Sequence, residues 1–169
     1  MVDQENRIVI AGAGFAGMYA AQALKGTPNV TVLDQNPYFE FIPNIHELIS
    51  GNKTPQNLQL DREPIINSLG HTWNKSRIQE INREEKQLLL DDGTPLPYDY
   101  LILGIGGVNH DRGIPGVKEH TFPFKSVSDC QKIHDHLEVL SQRESPFKVT
   151  IVGAGVEGLE ALGELLRKY

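Results

Sequence analysis

RIVIAGAGFAGMYAAQALKGTPNVTVLDQ, from Arg7 to Gln35, decides the fold. It opens on IVIA, a short β-branched run of the kind a strand buried on both faces needs, and that run ends at glycine. Phe15, Met18, Ala21 or Gln22, and Leu24 or Lys25 then recur at helical spacing, with Gly26 as the stop. NVTVLD is a second β-branched strand ending at Asp34. Strand, glycine-opened helix and strand within about 30 residues make a βαβ unit, whose crossover is right-handed and whose sheet is parallel. The turn carries Gly12-x-Gly14-x-x-Gly17. Gly12 permits the tight turn, Gly14 lets a pyrophosphate approach the backbone, and Gly17 lets the helix pack close to the strands. The phosphates then rest on the helix N-terminus, where free N–H groups and the helix dipole favour negative charge. Asp34 lies 22 residues beyond Gly12. There a carboxylate can accept from both ribose hydroxyls and repel a 2′-phosphate.

The pattern recurs. KVTIVGAGVEGLEALGELLRKY, from Lys148 to Tyr169, is again a strand, a turn with Gly153, Gly155 and Gly158, and a helix. Two such turns about 140 residues apart imply two dinucleotides brought face to face, an arrangement suited to hydride transfer between a nicotinamide and a flavin. The residue that would separate NADH from NADPH falls beyond Tyr169, so that choice stays open. A unit of about 30 residues starting at Lys148 needs its second strand after about residue 172, so the chain is expected to be an N-terminal piece of a longer protein. An apolar strand edge and helix face left uncovered there imply self-association into a homo-oligomer.

Between the two turns, NIHELIS and DREPIINSLG read as short helices. HTWNKSRIQEI and KQLLLDDG read as two strands joined at INREE, and YDYLILG as a further strand. Gly104 to Gly116 is a Gly/Pro-rich crossing, and SVSDCQKIHDHLEVL is an amphipathic helix with Ser126 or Ser128 as its cap. The expected division is 1–108 and 109–169.

The 169 residues carry 16 Lys+Arg against 22 Asp+Glu, a net charge of −6, with 39% hydrophobic residues. That is a globular composition without the basic surplus a nucleic-acid partner requires. The single Cys130 allows no internal disulfide, and neither a signal core nor a spanning apolar run is present, which reads as cytoplasmic. His134 and His136 fall on different helix faces and offer no metal-ligand spacing. His46 reads as a structural hydrogen-bonder, Trp73 as core and INREEKQ as a solvated turn. No Ser/His/Asp arrangement is discernible.

Over essentially its whole length the sequence resembles the N-terminal part of the two-dinucleotide-domain flavoproteins, and most closely the type II NADH:quinone oxidoreductases. GAGFAG at Gly12–Gly17 is similar to the flavin-domain turn of that family. FIPNIHELISG at Phe41–Gly51 resembles its F-T-P-L-L-Y-E-V-A-x-G segment, with Phe41, Pro43, Glu47 and Gly51 matching. YDYLILGIGG resembles Y-D-x-L-V-x-A-T-G-S, with Gly104 and Ile105 in place of Ala and Thr. GVEGLEALGEL at Gly155–Leu165 is similar to G-x-x-G-V-E-L-A-G-E-L.

The resemblance implies an α/β fold: a Rossmann-like FAD-binding domain with a parallel sheet, followed by the truncated start of a second Rossmann-like domain for NAD(P)H. It implies that Phe15, Ala16, Gln35, Pro43, Ile78, Gly104 and Gly106 join Gly12, Gly14, Gly17 and Asp34 around FAD. It further implies that Gly153, Gly155 and Gly158 hold NAD(P)H, with Glu160 as the catalytic carboxylate close to the nicotinamide. The implied activity is hydride transfer from NAD(P)H to FAD and on to a quinone or another small acceptor. Membrane contact would come only through later sequence, placing the whole protein peripherally on the inner face of the membrane. The 169 residues alone would then be an inactive or merely nucleotide-binding fragment. The CxxxxC pair of disulfide reductases is absent, Pro43, Asn44, Ile45 and His46 standing there, which excludes dithiol chemistry. Sulfide:quinone reductases are the alternative likeness, but Val156 and Glu157 stand where they need a cysteine.

Overall fold

A computed structural model describes residues 6–143 and 146–169. The chain divides into two compact units, one running to Phe39 and resuming over Leu60–Gly107, the other made of Glu40–Gln59 and Val108–Tyr169. Residues 40–59, placed in the first domain by the sequence reading, pack within the second unit.

The first unit is built on β1 (Ile8–Ala11), α1 (Phe15–Ala23) and β2 (Val30–Asp34). β3 (Tyr38–Glu40) leads out of it, and β4 (Gln59–Asp61) and α3 (Arg62–Ser68) lead back; β3 and β4 pair as a two-stranded ribbon. Asp61 caps α3 by accepting from the Glu63 N–H at 3.2 Å. β5 (Thr72–Lys75) and β9 (Tyr100–Leu103) complete a four-stranded sheet of order β5-β2-β1-β9 whose pairs are all parallel. Taken by order along the chain, this is third, second, first, fourth. The direction of winding therefore switches between β1 and β9, where open α/β sheets place their ligands.

β1 and β2 are apolar on both sides because both sides of the sheet are covered. Ile8, Ile10, Val30 and Val32 pack with Ala21 of α1 and with Ile66 and Leu69. Val9 and Leu33 point the other way, into a cluster with Leu88, Leu90 and Tyr98. That second cover is an antiparallel sheet of β6 (Ile78–Asn82), β7 (Gln87–Leu90) and β8 (Pro95–Pro97). HTWNKSRIQEI, read as one strand, is therefore two: β5 joins the parallel sheet, and after Ser76–Arg77 β6 joins the antiparallel one. The run has no strong period, and only the separate partners of its two halves divide it.

In the second unit, a 3₁₀ segment (Ile42–Leu48) and α2 (Pro55–Leu58) are followed by α4 (Val117–His120), α5 (Val127–Arg143) and α6 (Val156–Lys168). Its core joins Ile45, Leu48, Ile49 and Leu58 to Val127, Cys130, Leu137 and Ala161. Ser126 caps α5 through the Asp129 N–H at 3.1 Å, and Glu40 accepts from the Val127 N–H at 3.1 Å. The strand expected over KVTIV is not formed: residues 147–154 are irregular, and Val149, Ile151 and Val152 are exposed. A strand exists only as one side of a hydrogen-bonded ladder, and no described strand lies alongside this run. Among the described residues no helix is long and apolar enough to cross a membrane.

The start of β1 is tied to the start of β9 by Arg7 and Asp99. The Arg7 backbone N–H donates to Oδ2 at 2.7 Å, and its guanidinium meets both carboxylate oxygens at 3.1 Å. These bonds, the side-chain ones foremost, hold the Asp99 carboxyl down to about 2. A carboxyl with a folded value below its unfolded one favours folding while ionised, so the contribution is complete above about pH 4 and is lost as the pH falls through about 2. Asp99→Asn should lower the urea midpoint at pH 7, and the gap to the parent chain should close as the pH is taken from about 4 to 2. A gap of constant size across that range would show that the ionised pair is not its source.

Candidate functional site

The first glycine turn sits at the switch point. Gly12 leaves β1 with φ +94°, a left-handed conformation that favours glycine. A Cβ on Gly12 would lie 2.4 Å from the Gly104 carbonyl oxygen, and one on Gly17 would lie 1.8 Å from the Gly12 carbonyl oxygen. One on Gly104 would come within 3.0 Å of the Gly17 nitrogen. Three backbones thus meet where side chains would stand, and Gly104 N–H donates to Ala11 O at 2.7 Å. Gly14 differs: its φ of −76° suits any residue, and a Cβ there would meet nothing within 4 Å. No packing among the described residues accounts for this glycine. The open space lies at the N-cap of the nine-residue α1, which has no side-chain cap hydrogen bond. That is the cradle a diphosphate group fits.

Asp34, at the end of β2, is already engaged. Oδ2 accepts from the Ala13 N–H at 2.9 Å, and Oδ1 accepts from the Asn36 N–H at 2.9 Å and lies 3.1 Å from Arg62 Nη1. A carboxylate has about four acceptor positions, so at most one remains. The expectation that both ribose hydroxyls sit on Asp34 is therefore too generous for this arrangement. Arg62 is a site residue that sequence reasoning missed. It is buried, and besides Asp34 it donates from Nε to Ala13 O at 3.0 Å and from Nη1 to Asn36 O at 2.5 Å. One side chain thus ties α3 to the glycine turn and to the exit of β2. Nothing local in DREP signals this.

The second turn repeats the first. Gly153 has φ +111°, and a Cβ on Gly158 would lie 2.2 Å from the Gly153 carbonyl oxygen. Gly155 caps α6 at φ −73° with nothing within 4 Å of its Cβ position, as Gly14 caps α1. The local backbone is built although no strand precedes it.

The remaining sequence-derived residues scatter. Phe15 is half-exposed and packs edge-on against Phe39, ring centroids 4.9 Å apart. Ala16, Gln35 and Gly106 are exposed, and the Ile78 side chain packs into the Val9–Leu33 cluster. Pro43 is exposed in the second unit. Also in that unit, Glu160 lies on α6 with its carboxylate 3.6 Å from His46. Around it runs a polar row absent from the sequence reading: Ser50 Oγ donates to Glu164, and Arg167 Nη2 meets Glu164 at 2.6 Å and Ser50 Oγ at 3.0 Å. The spacing of four between His46 and Ser50, and between Glu160 and Glu164, was visible; their apposition was not. Glu47 is held below the usual carboxylate range, first by the Asn44 amide and then by Asn52 and Lys53. Cys130 is fully buried, and burial pushes its thiol up to about 12, which keeps it unreactive.

A family model described as pyridine nucleotide-disulphide oxidoreductase matches residues 6–168. Demethylphylloquinone reductase NdbB of Synechocystis is 27% identical over 98% of this chain and 44% of its own length. A type II NADH:quinone oxidoreductase of Staphylococcus epidermidis is 26% identical over the same shares. The chain thus spans less than half the length of these relatives. Among solved structures, NADH:rubredoxin oxidoreductase from Clostridium acetobutylicum has a similar fold, with a TM-score of 0.79 at 23% identity over 96% of this chain and 42% of that one.

The two kinds of glycine should separate on substitution. Gly17→Ala should destabilise the chain by on the order of 3 kcal/mol or more, because its methyl group overlaps a backbone carbonyl. Gly14→Ala should cost less than about 1 kcal/mol. Thermal unfolding of the two variants checks this, and equal losses would contradict the assignment of Gly14 to an external ligand.

Proposed function

The chain belongs to the pyridine nucleotide-disulphide oxidoreductase family, and on that premise we propose that its two glycine turns hold two different dinucleotides, FAD at Gly12–Gly17 and NAD(P)H at Gly153–Gly158. The supporting observation is that Gly14 and Gly155 are the two fingerprint glycines at helix caps that no internal packing requires. At the first turn the opening amides of α1 receive the diphosphate, and Asp34 offers its remaining acceptor position to the adenosine ribose. Arg62 keeps that carboxylate in place. Gly104 closes the turn from the end of β9, with Phe15, Ala16, Gln35, Gly106 and Ile78 as further contacts. At the second turn α6 receives the diphosphate of NAD(P)H, and Glu160, two residues past Gly158, stands beside the nicotinamide.

FAD bound in this way supplies a two-electron carrier that takes a hydride from NAD(P)H and passes the electrons on. Relatives named for demethylphylloquinone and quinone support a quinone as the acceptor class. The single buried cysteine takes no part. The catalytic protein has the length of those relatives and touches the membrane through sequence outside these residues; its FAD domain begins within residues 1–108, of which 40–59 pack with the second unit, and its NAD(P)H domain begins within 109–169. The 169 residues by themselves retain FAD weakly, do not turn over, and associate through the exposed apolar side of α6.

Titrating the chain with FAD and following flavin fluorescence tests the reading. Gly14→Ala should weaken binding at least tenfold, equivalent to about 1.4 kcal/mol, at nearly unchanged stability. Gly155→Ala should do the same for NADH and leave FAD untouched. FAD affinity that ignores Gly14→Ala would overturn the assignment.

A further inference from the structure

Two side chains of the second unit, neither of them part of a glycine turn, stand against each other. His46 lies in the 3₁₀ segment and Glu160 on α6, with Nδ1 of the ring 3.6 Å from the carboxylate Oε2. Nδ1 is buried and has no hydrogen-bond partner among the described residues, whereas the side chain as a whole keeps 19% of its surface exposed. The exposed part of the ring therefore lies away from Nδ1. The separation is too long for a hydrogen bond but short enough that a small rotation of Glu160 makes one. Buried polar atoms are paired in folded proteins, and the charged neighbours are otherwise committed. Glu47 accepts from Asn44, Asn52 and Lys53. Glu164 is taken by Ser50 and Arg167. On α5, His134 Nδ1 faces Ile49 O at 3.2 Å, and Glu138 is held by Lys168 and Tyr169. Glu160 is what remains for His46. An ionised carboxylate accepts and cannot donate, so the proton of the pair belongs on Nδ1.

We propose that Glu160 holds His46 as the Nδ1–H tautomer and leaves Nε2, on the exposed part of the ring, as a proton-accepting base. Which ring nitrogen carries the proton is set by the partner of the other. Glu160 is then a positioning residue and His46 a proton carrier. Nε2 takes up one proton and gives that proton up again, so the pair is unchanged over a cycle. The purpose of the pair rests on the function proposed above. NAD(P)H, a quinone and one proton give NAD(P)⁺ and a hydroquinone, the hydride coming from the dihydronicotinamide and the proton being the one such a carrier delivers.

Long-range proton–nitrogen correlation spectra of the chain labelled with ¹⁵N-histidine, recorded at about pH 9 without any dinucleotide, read the tautomer directly. The parent chain should show His46 as Nδ1–H. Glu160→Leu should move it to mainly Nε2–H, and Glu160→Gln, whose side-chain carbonyl can still accept, should keep Nδ1–H. An Nε2–H ring in the parent chain overturns the proposal whether or not the variants fold, and an unchanged tautomer in Glu160→Leu removes Glu160 from its role. Diethyl pyrocarbonate, which acylates unprotonated imidazole nitrogen, should modify His46 in the parent chain several-fold faster than in Glu160→Leu; a His46 that stays unmodified shows that Nε2 is no available base. Failure here leaves the dinucleotide assignment standing, and loss of dinucleotide binding with an Nδ1–H ring sinks that assignment alone.

Discussion

The first unit depends on a contact in which no side chain takes part. Gly12, Gly17 and Gly104 bring the end of β1, the first turn of α1 and the end of β9 to backbone separations that a single Cβ would close. Because β1 and β9 are parallel neighbours and α1 must return over them, the place where the winding reverses is also the place where three main chains converge. Helix amides can be presented to a ligand there only because nothing protrudes between them. The same economy appears at Gly153 and Gly158, where the turn keeps its shape without a flanking ladder. The turn conformation is thus local, set by glycine φ values and one helix–turn contact.

Around that contact the charges are arranged for order. Asp34 is joined to the turn by the Ala13 amide and to α3 by Arg62, a buried cation that also binds two carbonyls. A buried guanidinium is tolerated when a carboxylate and carbonyl oxygens replace its water. The acid expected to meet a ribose is thereby first a structural element, which limits how many hydroxyls it can serve. In the second unit the row His46, Ser50, Glu160, Glu164 and Arg167 likewise joins a short irregular segment to a regular helix, with Glu160 facing His46 at 3.6 Å.

His46 illustrates how environment changes a reading. In a loop sequence it is an ordinary hydrogen-bonding residue; against Glu160, with Nδ1 buried, its two nitrogens cease to be equivalent. Cys130 illustrates the opposite outcome. In the sequence it is a lone cysteine inside a helical window, and burial in the structure keeps its thiol unreactive.

The elements with strong local signals were legible in the sequence: β1, α1 and β2 from β-branched runs and a glycine fingerprint, α3 from the Asp61 cap, α5 from its periodicity, and both helix-opening turns from glycine spacing. These follow from φ preferences, capping and the periods 2 and 3.6, which act within a few residues. Tertiary structure alone decided that HTWNKSRIQEI splits between two sheets, that KVTIV stays unpaired, that Arg62 braces Asp34 and that His46 meets Glu160. Each of these depends on a partner far along the chain, and sequence spacing carries no information about which distant group will stand within 4 Å once the backbone has folded.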